Sequence, residues 1–229
     1  MASERTGSFG AYYGSEWGTS DILTTAQMQI NATYVYSALN MAGWTENAIA
    51  AILGNMQAES GINPGRWQSD DVGNESNGYG LVQWTPSTNY TLWCAAEGFD
   101  DPSEMDSNLA RILHEWNNNL QWISTISYPL SFKEFGTSNE TVAYLAKAFV
   151  VNYERPADQS ATALNNRAAL AESWFEYITG RTPTPENPGT STESTGTKRK
   201  RYNFLIFNQA RKRNHLQRRR NEQWTKRHF

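Results

Sequence analysis

"GNMQAESGINPGRWQ", residues 54–68, carries a carboxylate to the last turn of an apolar helix and then breaks the chain. Just upstream, Ile49, Ile52, Leu53 and Met56 recur at i, i+3, i+4 and i+7, the spacing of one helical face. Thr45 stands where an N-cap belongs, and Glu46 falls in the first turn, where an acid suits the helix dipole. Gly61 and Pro64 stop the run. The next positions on the stripe are 59 and 60, so Glu59 is expected on or beside the core-facing side. Burial and the negative helix end both disfavour an anion there. A carboxyl that keeps its proton near neutral pH can protonate a leaving oxygen, the demand of glycosidic cleavage. The bland alternative is a helix-end glutamate turned to solvent or paired with Arg66.

Outward from this stretch, helical spacing predominates. Helices are predicted over 25–41, 86–98 ("PSTNYTLWCAAEG"), 102–123, 139–153 ("NETVAYLAKAFVVNY") and 163–178 ("ALNNRAALAESWFEYI"). In the third of these, Met105, Leu109, Ile112, Leu113 and Trp116 share a face. Residues 65–84, "GRWQSDDVGNESNGYGLVQW", are punctuated by Gly, Asn and Asp. They read as a loop or a small hairpin with room for three short strands. The expected class is α+β, mainly α: a helical lobe and a small β/loop lobe. Four regions follow: an arm at 1–22, a catalytic domain at 23–179, a Pro/Thr/Ser/Gly-rich linker at 180–197, and a basic aromatic tail at 198–229.

At 229 residues the chain has room for one ordinary domain with appendages. Its single cysteine, Cys94, excludes an intrachain disulfide and a cysteine-based zinc cluster. His114, His215 and His228 are scattered and make no metal signature, so neither metal nor cofactor is expected. The opening "MASERTGSFG" has no apolar core of a signal peptide, and no long apolar run suggests a transmembrane helix. Action outside the producing cell would need lysis or a carrier particle. Of 20 Lys/Arg and 23 Asp/Glu, residues 196–229 hold twelve bases and one acid, Glu222. That leaves 8 bases and 22 acids upstream, a net of -14 against +11. The two parts are therefore expected to have different partners.

Four motifs stand in order: "ILGNMQAESGINPGRWQ" (52–68), "GYGLVQWTP" (78–86), "LSFKEF" (130–135) and "NYERPADQ" (152–159). Glu59–Ser60, then Ser76, Gly78, Gly80, Leu81, Val82 and Gln83, then Tyr153, resemble the paired motifs of goose-type lysozymes and lytic transglycosylases. Val82 replaces the usual Met of that turn. Over about 25–178 the closer resemblance is to the tail lysozyme domain of phages of Gram-positive bacteria, especially the tail-knob hydrolases of small podoviruses. The resemblance implies a lysozyme-like fold and a virion-associated glycosidase. Its bond would be the β-1,4 link between N-acetylmuramic acid and N-acetylglucosamine, cut to aid delivery of the genome.

By the same resemblance Glu59 is the general acid, and Tyr79, Gln83 and Tyr153 line the groove or hold the acid and the acetamido group. Gln83 could instead satisfy loop backbone, and the tyrosines could be core with a wet hydroxyl. Trp67 and Trp84 could stack on sugars, with core packing favoured for at least one. For the second carboxylate Asp70, Asp71, Glu75 and Glu154 are open, with Asp71 preferred as the base of a hydrolase. A lytic transglycosylase would need no base. An endolysin acting at host lysis and a non-enzymatic tail or wall-binding protein are the other readings. Partners implied are peptidoglycan glycan strands and, through the basic tail, other tail proteins or an anionic wall polymer ahead of nucleic acid.

Overall fold

A computed structural model describes the backbone of 5–6 and 12–13 and the continuous run 22–185. The basic aromatic tail, most of the linker and most of the N-terminal arm lie outside the described residues. Within the arm, β1 (Arg5–Thr6) pairs antiparallel with β2 (Tyr12–Tyr13).

Seven α-helices build the rest of the described chain: α1 (Thr25–Met41), α2 (Glu46–Ser60), α3 (Thr88–Glu97), α4 (Met105–Asn118), α5 (Phe132–Thr137), α6 (Val142–Phe149) and α7 (Ala161–Thr179). Local chemistry fixes their ends. Thr24 and Ser131 form capping boxes with Gln27 and Glu134, and Thr45, Thr141 and Ser160 cap α2, α6 and α7 through their hydroxyls. Gly61 closes α2 in the left-handed conformation at φ 65°. The domain is mainly helical, as the periodicity predicts. The short α5 was not predicted; six residues give periodicity too little to act on.

α2 departs from the one-sided stripe expected of it. Every residue from Ala48 to Met56 is buried, so the helix runs through the core with neighbours on all sides. α1, α5, α6 and α7 pack against it. Small residues make this possible. A Cβ placed on Gly54 would stand 2.5 Å from the backbone nitrogen of Ala171 on α7. Asn55, buried beside it, donates from Nδ2 to Ala51 O and across to Ala146 O on α6, at 2.9 and 3.1 Å. Three helices are thereby fixed around the end of α2 that carries Glu59.

The 65–84 segment has almost no regular structure. A 3-10 turn (Gln68–Asp70) and two single antiparallel bridges, Trp67–Tyr79 and Tyr79–Trp84, replace the possible strands. α6 continues directly into a π-helical turn, Val150–Glu154, closed by Arg155 N–H donating to Val150 O at 2.8 Å. Such turns are rare and gather at functional sites.

Candidate active site

Ser60 joins the first two motifs. Its Oγ lies 3.0 Å from both Met56 O, in its own helix, and Leu81 O, in the glycine-rich turn. Leu81 N–H donates to buried Asn108 Oδ1 at 2.9 Å. The turn is tied again at Arg66 O, which accepts from Gly80 N–H at 3.0 Å and from Gln83 Nε2 at 3.1 Å. Gln83 Nε2 also donates to Gly80 O at 2.9 Å, while no donor among the described residues reaches its Oε1. The half-buried amide thus holds the loop with one end and keeps an acceptor at the other.

Glu59 is set by the helices behind it. Its Oε1 accepts from Arg167 Nη2, and Arg167 Nη1 donates to Asn55 O at 3.0 Å, one turn back along α2. The same Nη1 lies 3.6 Å from Oε2 of Glu154, on the π turn. The Glu59 side chain is 21% exposed, whereas that of Glu154 is 4% exposed. Glu59 is thus partly buried at the edge of the core, and the deeper burial falls on Glu154. No N–H or O–H donor among the described residues hydrogen-bonds either Glu154 oxygen. Burial first, then the neighbouring Glu59 charge, push the Glu154 acid up to about 8, against the pull of Arg167. The alternative partner of Glu59, Arg66, is engaged elsewhere: it pairs with Asp70 at 2.9 Å.

Tyr79, Trp84 and Tyr153 are not on a groove surface. All three are buried. Tyr79 lies between Trp67, at 4.5 Å between ring centroids, and Tyr90, at 6.2 Å. Trp84 stacks on Tyr90 at 4.4 Å, and Tyr153 stacks on Phe149 at the same separation. Trp84 and Tyr153 turn their polar atoms to a buried acid, Glu115 of α4: Trp84 Nε1 donates at 3.1 Å and the Tyr153 hydroxyl donates to Oε2. Arg111 Nε completes that network at 2.7 Å from Glu115 Oε1. Burial raises the acid of Glu115 and the hydroxyls of Tyr79 and Tyr153. Trp67 is also core. Of the two readings open for these aromatics, groove lining or core, their burial favours core, with the ring area spent on packing.

Asp71 lies in the exposed part of the loop, its Oδ2 accepting from Asn74 Nδ2 at 2.8 Å and Asn77 Nδ2 at 3.0 Å. It shares no hydrogen bond or ion pair with the Glu59 cluster. Arg167 was missed in the sequence. Its signal is a lone cation on the buried stripe of α7, four residues before Ala171 and seven before Trp174. No cluster among the described residues could hold a metal, and no described helix is long and apolar enough to cross a membrane.

The description "phage tail lysozyme" belongs to the family profile that matches residues 30–178. Morphogenesis protein 1 of Bacillus phage B103 is 46% identical over 159 residues, which cover 69% of this chain and 42% of that protein. The chain thus spans well under half of the relative's length.

Proposed function

The chain belongs to the phage tail lysozyme family, and on that premise we propose that it cleaves the MurNAc–GlcNAc β-1,4 bond of host peptidoglycan with Glu59 as general acid. The observation that carries this reading is the partly exposed Glu59 backed by a buried Glu154, with Arg167 in contact with both. The proton passes from Glu59 to the glycosidic oxygen as the C1–O bond breaks, leaving an oxocarbenium-like sugar. Water then adds to C1. Asp71, oriented by the amides of Asn74 and Asn77, is the base proposed to take that water's proton. Gln83 Oε1 is proposed to accept from a substrate acetamido N–H. The aromatic wall around Tyr79, Trp84 and Tyr153 supports the groove from behind.

A lytic transglycosylase is the second reading. It is favoured by the burial of Glu154, the acid that shares Arg167 with Glu59, because a carboxyl only 4% exposed is poorly placed to activate a water at the sugar. The relative's name, a morphogenesis protein, supports a place in the virion over an endolysin acting at lysis. Muropeptide mass spectrometry after digestion of purified walls tests the proposal. A reducing muramic acid end supports hydrolysis, an anhydro end the transglycosylase, and undigested walls would sink both.

A further inference from the structure

The pair of acids behind the groove asks for a division of labour. Glu154 is too enclosed to meet a glycan, and the charged groups acting on it are Glu59 from α2 and Arg167 from α7. The other ion pairs nearby are closed on themselves: Arg66 with Asp70 in the loop, Arg111 with Glu115 on α4. Arg167 can balance one negative charge in this enclosure. Two carboxylates would leave a buried anion without a partner, and two protonated acids would leave the guanidinium without one. The count that balances is one proton and one negative charge across two carboxyls.

We propose that Glu154 is a positioning residue that shares one proton with Glu59 across Arg167, keeping the exposed acid loaded. This rests on the reading of Glu59 as the acid. When Glu59 gives the proton to the leaving sugar oxygen, both carboxyls are ionised against a single cation. That state is unfavourable, so the pair takes a proton back from solvent, to which Asp71 sheds the one it took from the adding water. Proton number balances over the cycle, and the pair returns to its starting charge.

The test uses the full chain and two readouts: the pH profile of kcat/KM on soluble glycan strands, and the titration of glutamate carboxyls labelled with carbon-13. In the unmodified protein Glu154 should lose its proton around pH 8, and the alkaline limb of activity should coincide with that step. In Glu154→Gln the remaining carboxyl faces a cation and an amide donor. Its alkaline limb should move to lower pH by about one pH unit or more. In Glu59→Gln the like charge is gone, so the Glu154 titration should fall by a similar amount; this variant serves if Glu154→Gln does not fold. A folded Glu154→Gln protein whose limb stays in place overturns the shared proton and leaves Glu59 as the acid. A Glu59→Gln protein that keeps its activity overturns the acid reading itself.

Discussion

Gly54 and Ala171 bring α2 and α7 into backbone contact: a Cβ on the glycine would meet the alanine nitrogen at 2.5 Å and its Cα at 2.7 Å. That approach is what lets Arg167, one turn before Ala171, reach Asn55 O and Glu59 together. Gly54→Ala should therefore push the helices apart. Overpacking of this kind costs about 1–3 kcal/mol. Denaturant unfolding should show the loss, and kcat should fall beyond the loss of folded protein because the Arg167 clamp is displaced.

Glu59→Gln retains shape and removes the proton donor. Lytic activity should drop by about 10²-fold or more, with the fold intact by circular dichroism. Most of the activity surviving would end the assignment.

Stability should carry a signature of Glu154. Its folded acid sits at about 8 against an ordinary 4.5, so the native chain holds a proton that the unfolded chain has lost between those values. Unfolding then releases a proton. The contribution to stability is full below the ordinary glutamate range and is lost as pH rises toward about 8. Glu154→Gln should flatten this part of the stability–pH curve, as read from urea midpoints across the window. An unchanged slope would count against a protonated Glu154.

Asp71→Asn separates the two chemistries. If Asp71 activates water, the variant should be severely impaired while the parent makes reducing ends. An active variant with anhydro products would place the chain among the transglycosylases.

The basic segment should act through charge. Deleting 196–229 removes a net +11. Activity on soluble strands should persist, while retention on whole walls at low salt should fall, and the parent's retention should weaken as salt is added. Equal wall binding by both proteins would point the segment toward virion assembly.

Much of this was legible in the residues, and the failures have physical causes. α2 and Glu59 followed from apolar spacing and chain breakers. The burial of α2 on every side did not, because Ala48, Ala50, Ala51 and Gly54 are neutral in a periodicity count while being what admits close neighbours. Arg167 lies 108 residues from Glu59, and no local pattern connects them. The aromatics of the second and fourth motifs stay open between groove and core in the sequence because a ring serves either equally well. What decides between them is Glu115, a buried acceptor from a different helix, on which Trp84 and Tyr153 converge.

The π-helical turn has a consequence for chain length. From Phe149 an α-helix would return to the same face after three or four residues; the wider turn returns after four to five, so that Tyr153 and Glu154 are both brought inward. One serves Glu115 and the other Glu59. The surplus residue in Val150–Glu154 is thus a phase adjustment that lets neighbouring side chains answer to two separate acids. Shortening that turn by a single residue would rotate everything beyond it by about 100°, and the helix would lose its grip on one acid in order to keep the other.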